Sequence, residues 1–196
     1  AIGTDGTVYV AATGRGYPYF NKGLYALNCR TGAKIWEFDI EVWSHHIVSK
    51  GDFSPAIGVD GMVYATSNKG RLYAINGKTG KKVWVSESRY VNNSAPWVSD
   101  SPVVGFDGTV FAGGSVFAPE TGKIIRQIGL NGPLILGSDG TVYGANSRKL
   151  HATDGMTGKK IWEFEGNASF NRPVIASDGT IYAGTAEKEG TLYAIE

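Results

Sequence analysis

The sequence predicts an all-β protein built from about five repeats of a small antiparallel sheet. Three observations predict it. The phrase Asp-Gly, then Thr or Met, Val or Ile, and Tyr or Phe recurs five times, at residues 5–9, 60–64, 107–111, 139–143 and 178–182. A second phrase, Thr-Gly with a large side chain four residues after the glycine, follows each of the first four copies, at Thr31-Gly32 to Trp36, Thr79-Gly80 to Trp84, Thr121-Gly122 to Arg126 and Thr157-Gly158 to Trp162. Glycine accounts for 28 of the 196 residues without any long helical pattern, which points to short strands and tight turns. Self-similarity at a fixed spacing is the signature of a repeat architecture.

The strands of one unit follow from these phrases in order. In the second unit they are residues 54–58, 62–67, 71–76 and 82–86. The first strand is a short apolar lead-in, as in Ser54-Pro55-Ala56-Ile57-Gly58. Asp-Gly between two apolar runs reads as a two-residue hairpin, because such a turn needs positive φ. Between the third and fourth strands, Thr-Gly after Asn28, Asn76 or Asp154 reads as a longer hairpin. There the Asn or Asp side chain bonds the turn backbone and glycine takes the left-handed position. The strands are apolar on both faces, as in Val8-Tyr9-Val10-Ala11, and continuous short apolar runs suit sheets covered on both sides. Stacked blades of a β-propeller create that environment. The expectation is a single propeller domain over residues 1–196, with four-stranded blades near 1–38, 53–87, 100–127, 132–165 and 172–196.

The pattern Ala-x-Asn/Asp-x-x-Thr-Gly-x-x-x-Trp appears as Ala26, Asn28, Thr31, Gly32, Trp36; as Ala74, Asn76, Thr79, Gly80, Trp84; and as Ala152, Asp154, Thr157, Gly158, Trp162. It resembles the tryptophan-docking motif of the PQQ-like, quinoprotein-type propeller repeats, and the resemblance covers nearly the whole chain. It implies that each docking tryptophan packs between neighbouring blades, a role suited to an indole that buries about 150–250 Å². The third unit departs, with Arg126 where the tryptophan belongs, so its junction is expected to be weaker or differently filled. The chain enters within a first strand and stops after a third strand at Glu196, which leaves two readings open: a piece of a larger ring, or a small five-bladed ring with an incomplete closing blade.

Strand parity predicts where a ligand would bind. In a four-stranded antiparallel blade the first and third turns lie at one end, and the second turn and the crossover lie at the other. The tight Asp-Gly and Thr-Gly turns take the first end. The long segments 13–22, 39–53 and 88–100 take the other. They carry Tyr17, Tyr19, Phe20, Trp43, His45, His46, Arg89, Tyr90, Asn92, Asn93 and Trp97. Aromatic rings interleaved with Asn, His and Arg on elaborated loops suit a protein or glycan partner. The alternative is that these rings only pin the loops to the blades.

Chemistry beyond binding is thinly represented. The formal charge is +1 with no basic stripe, which gives nucleic acid no electrostatic footprint. No apolar run reaches the roughly 18 residues of a membrane span, so no direct membrane insertion is expected. The sequence opens on residues that already read as a strand and a turn, with no leader visible. Cys29 stands alone, His45-His46 lacks companion ligands, and His151 sits where Tyr25 and Tyr73 sit in their own third strands. The turn aspartates lack the further acids of calcium loops. Asn92-Asn93-Ser94 and Asn167-Ala168-Ser169 match the glycosylation pattern. The quinone-dependent dehydrogenases of the resembled family carry a vicinal cysteine pair and a calcium-ligand set, and no residue here takes those positions. The expectation is therefore a non-enzymatic binding or scaffold module, with no catalytic residue, no metal site and no cofactor, placed outside the cytoplasm by family analogy. The alternatives are part of a PQQ-dependent dehydrogenase, with PQQ and calcium, and a carbohydrate-binding domain of a larger surface protein.

Overall fold

The computed structural model describes residues 1–13, 22–40, 54–67, 69–87, 101–130, 132–186 and 189–196. They form five antiparallel sheets that follow one another along the chain. The first contains β1 (Val8–Thr13), β2 (Lys22–Leu27) and β3 (Lys34–Asp39), with a bridge from Ile2 to Val8 in place of an inner strand. The second contains β4 (Ala56–Ile57), β5 (Met62–Thr66), β6 (Leu72–Asn76) and β7 (Lys82–Val85). The third contains β8 (Val103–Val104), β9 (Val110–Ala112), β10 (Ser115–Phe117) and β11 (Ile124–Gln127). The fourth contains β12 (Leu134–Leu136), β13 (Thr141–Asn146), β14 (Lys149–Asp154) and β15 (Lys160–Glu165). The fifth contains β16 (Val174–Ile175), β17 (Ile181–Gly184) and β18 (Leu192–Ile195). Each is a meander in chain order, the blade of a β-propeller.

The Asp-Gly turns correct one expectation: they are not two-residue hairpins. Gly58 N–H donates to the Met62 carbonyl at 2.8 Å, and Gly61 N–H donates to the Gly58 carbonyl at 3.0 Å, which closes a three-residue loop. Gly61 has φ +77° while Asp60 stays out of the left-handed region, so a type I turn runs into a left-handed glycine. The aspartate shapes the turn instead by accepting the N–H two residues on, Met62 to Asp60 Oδ1 at 3.0 Å. The same bond recurs at Asp5, Asp107, Asp139 and Asp178. A two-residue hairpin does occur, at Gly113-Gly114, where both glycines have positive φ and Ala112 pairs with Ser115.

The Thr-Gly turns match the reading. Asn28 Oδ1 accepts from the N–H groups of Arg30 and Thr31, Asn76 Oδ1 from Lys78 and Thr79, and Asp154 Oδ1 from Thr157. In the third blade Ala118 replaces the acceptor side chain, and the backbone bonds of the turn persist without it.

Side chains on the two faces of each blade meet different neighbours. Tyr9, Leu24 and Ala26 pack on Val63, Ala65, Tyr73 and Ile75. Tyr64, Leu72, Ala74 and Trp84 pack on Val110, Ala112 and Phe117. Phe111, Val116 and Ile128 pack on Leu134 and Val142. Ala145 and Leu150 pack on Phe170, Ile181 and Ala183. The core is thus four successive seams, each a sandwich between two blades.

Candidate functional site

The seams are built from the recurring residues. A register shift follows Ala26, Ala74 and Ala152 in the third strand, and each of these alanines lies opposite its tryptophan. All three are fully buried, and a methyl group there leaves room for the indole to lie across the strand. The ring then reaches the next blade. Trp36 Nε1–H donates to the Gly77 carbonyl at 2.7 Å, and Trp84 Nε1–H donates to the Pro119 carbonyl at 2.6 Å. The glycine of the neighbour's Thr-Gly turn lies under the ring. A Cβ on Gly80 would stand 2.8 Å from Trp36 Cγ, and one on Gly122 would stand 2.3 Å from Trp84 Cε3. Glycine is needed here twice over, for positive φ and for this close approach.

The third seam is differently filled. The Arg126 guanidinium donates from Nη1 to the Gly155 carbonyl at 3.0 Å, the acceptor equivalent to Gly77 and Pro119. Its side chain runs along Gly158, where a Cβ would lie 3.5 Å from Arg126 Cδ. An arginine therefore makes the tryptophan's hydrogen bond and covers the same glycine with its stem.

Sequence reasoning did not single out the tyrosines of the first phrase. Tyr9, Tyr64 and Tyr143 stack against Trp36, Trp84 and Trp162 with ring centroids 5.7, 5.8 and 5.8 Å apart. The Tyr9 hydroxyl donates to the same Gly77 carbonyl at 3.2 Å. Burial raises the phenol pKa of all three, that of Tyr64 to about 12, so they stay neutral donors. The missed signal was a paired change: where Trp becomes Arg126, Tyr becomes Phe111.

The candidate ligand residues Tyr17, Tyr19, Phe20, Trp43, His45, His46, Arg89, Tyr90, Asn92 and Trp97 lie outside the described residues, as do Asn93 and Ser94. The strands that lead into those segments are described. β1 and β2 flank residues 14–21, β3 and Ile40 lead into 41–53, and β7 leads toward 88–100, all at the end opposite the Asp-Gly and Thr-Gly turns. At that end Ser86 Oγ accepts from the Leu72 N–H at 2.9 Å and donates to the Glu87 carbonyl, and Ser101 Oγ accepts from the Ser54 N–H at 3.1 Å.

The remaining candidates are placed by structure. His151 lies on β14 with Nδ1 3.4 Å from Glu163, and burial holds its pKa below the ordinary histidine value despite that carboxylate. Glu163 also binds Lys149 and Lys160, whose hydrogen bonds hold its carboxyl at about 2. Asn167 is tied at both ends of its amide: Oδ1 accepts from the Tyr193 hydroxyl and Nδ2 donates to Thr191 Oγ1. Cys29 is exposed in the Thr-Gly turn of the first blade. Among the described residues no three His, Cys, Asp or Glu side chains are grouped to hold a metal, and none supplies the vicinal cysteine pair of a quinone site. Among the described residues the donor set does not fit PQQ with calcium. Among the described residues no helix is long and apolar enough to cross a membrane.

Comparison with known proteins gives a consistent picture. The family model described as "Outer membrane protein assembly factor BamB" matches residues 1–128 and 113–196. BamB from Moraxella catarrhalis superposes with a TM-score of 0.70 at 21% identity, over 97% of this chain and 60% of that one. Quinohemoprotein alcohol dehydrogenase from Comamonas testosteroni superposes with a TM-score of 0.65 at 18% identity, over 98% of this chain and 40% of that one. The chain spans less than two thirds of either structure. No curated protein matches by sequence.

Proposed function

The chain belongs to the PQQ-like repeat family represented by the outer membrane protein assembly factor BamB, and on that premise we propose that it is a non-enzymatic scaffold that binds a protein partner through its loop end. One observation carries the reading. The Asp-Gly and Thr-Gly turns are consumed by blade construction at one end, through the aspartate bonds and the tryptophan contacts, while the long connections of the first two blades leave at the other, where the third and fourth blades keep only short hairpins. A rigid stack with its elaboration at one end is how scaffolds present a binding surface. The family is named for assembly of outer membrane proteins, so the partner proposed is a protein of that process and the compartment proposed is extracytoplasmic.

The test is photocrosslinking in the envelope of a Gram-negative host, with a benzoyl-phenylalanine placed at Trp43 or Trp97 and, as the contrast, at Asp60 or Asp139. The reading expects a defined protein adduct from the first pair and none from the second. Adducts from the turn end alone would sink it, and adducts to glycan alone would favour a carbohydrate-binding role.

The dehydrogenase reading is kept because one superposed structure is a quinohemoprotein. Titration of the folded chain with PQQ and Ca²⁺, followed by tryptophan fluorescence, decides it: we expect no saturable change, and micromolar saturation would replace the scaffold proposal with a quinoprotein one.

A further inference from the structure

The second blade carries a half-buried cationic site at its loop end that blade construction does not use. Ser67 and Arg71 close the hairpin between β5 and β6, with Ser67 N–H donating to the Arg71 carbonyl at 2.9 Å. Because Thr66 pairs with Leu72, Ser67 and Arg71 stand opposite each other and their side chains share one sheet face. Parity identifies that face. Val63, Ala65, Tyr73 and Ile75 lie on it and pack against the first blade. Phe38 of the first blade meets the Tyr73 ring edge-on at 5.9 Å, so the seam is closed immediately below the pair.

Ser67 is only 1% exposed. Its Oγ and the Nε of Arg71 are both shielded from solvent, and neither has a hydrogen-bond partner among the described residues. Equivalent positions in other blades are satisfied. In the fifth blade Thr185 and Thr191 stand where Ser67 and Arg71 stand, and the Thr185 hydroxyl accepts from the Thr191 N–H at 2.9 Å. In the fourth, Lys149 stands where Arg71 stands, and its ammonium pairs with Glu163 of the neighbouring strand at 2.5 Å. Arg71 has no such acceptor among the described residues.

A half-buried guanidinium is always charged and holds only donors, and leaving them unpaired away from water is costly. The group that satisfies a guanidinium edge beside a hydroxyl donor is a planar oxyanion, above all a carboxylate. We propose that Arg71 and Ser67 form a carboxylate-binding site at the loop end of the seam between the first two blades, with Arg71 Nε–H and Ser67 O–H as its donors, and that an Asp or Glu side chain of the protein partner occupies it. The identity of the occupant rests on the scaffold reading; the carboxylate chemistry does not.

The experiment is NMR on the whole chain, observing the arginine ¹⁵Nε–H resonances and assigning Arg71 by its loss in Arg71→Lys. Sodium acetate is titrated against sodium chloride at constant ionic strength, then N-acetyl-glutamate amide against N-acetyl-glutamine amide. The proposal expects a saturable downfield shift with acetate and the glutamate compound, none with chloride or the glutamine compound, and affinity reduced several-fold in Ser67→Ala. A shift that fails to saturate, or that chloride matches, overturns the site. Response to acetate without response to the glutamate compound overturns the partner side chain as occupant while leaving the crosslinking result of the scaffold reading untouched. Arg71→Met, which keeps the stem and removes the charge, guards against misfolding. Acetate is expected to raise the Tm of the parent and not of this variant; an equal rise in both counts against the site.

Discussion

At the scale of single residues, the seams depend on one large side chain reaching one carbonyl over one glycine. Trp84 illustrates it, with its indole on the Gly122 turn and its Nε1–H on Pro119. Trp84→Ala should cost about 3–5 kcal/mol through the cavity and the lost burial. Trp84→Phe should cost less, because it retains most of the packing and loses the hydrogen bond, worth about 1 kcal/mol. Gly122→Ala should rival the larger loss, since its methyl would overlap the ring at a φ of +67° that alanine resists. Urea unfolding followed by far-UV circular dichroism orders the three, and an innocuous Gly122→Ala would refute the close-approach account. Arg126 shows that the carbonyl, more than the indole, is the constant partner at this position. A guanidinium on a flexible stem reaches the same acceptor from the same register.

At the scale of elements, the Asp-Gly hairpins repeat one electrostatic device. The turn aspartates Asp5, Asp107, Asp139 and Asp178 are held below the usual carboxylate value by hydrogen bonds from the threonine two residues on. At Asp107 and Asp139 the threonine hydroxyl joins the backbone N–H, at 2.7 and 2.8 Å. A carboxylate whose pKa is depressed on folding contributes stability that is complete above its unfolded value, about 3.9, and is lost as pH falls through the lower folded value. Thermal stability should therefore hold from neutral pH to about pH 4 and decline in steps of small size below it. Asp139→Ala should cost under about 1 kcal/mol at pH 7, given how exposed the turn is, and should flatten the acid limb of the Tm–pH curve. An acid limb identical to that of the parent would show that the turn aspartates do not carry it. The three-residue length of these loops follows from the same bond: the aspartate accepts from a backbone N–H and leaves the left-handed position to glycine alone.

At the scale of the whole molecule, the four seams make stability nearly one-dimensional, each blade answering to its neighbours. The fifth blade shows what an uncovered face looks like. Tyr182 and Ala194 pair as Tyr9 and Ala26 do, yet Val174 is 58% and Leu192 70% exposed on that side. Four apolar side chains of a docking face in water favour self-association. A polypeptide of these 196 residues should associate as its concentration rises, and Val174→Lys with Leu192→Lys should return it to a monomer without changing its circular dichroism. Sedimentation velocity across a concentration series tests this; a parent that stays monomeric throughout would mean the face is covered in solution.

What was legible in the sequence was local. Five Asp-Gly phrases, four Thr-Gly phrases and three docking tryptophans each lie within a few residues of the turn or bulge they specify, so the number of repeats, the strand order and the tryptophans of the seams could be read directly, while their tyrosine partners could not. The tertiary structure decided what depends on distant partners. Trp36 and Gly77 are 41 residues apart, and Arg126 and Gly155 are 29 apart, so no local pattern announces that an arginine replaces a tryptophan in function as well as in position. The same holds for Ser67 and Arg71. Each looks like an ordinary turn residue, and only the register of β5 and β6, with the first blade packed on that face, turns the pair into a half-buried cationic site. Turn chemistry is set by backbone conformation over three or four residues and is written where it acts. Burial is a property of what another blade covers, and that becomes visible only when the blades are stacked.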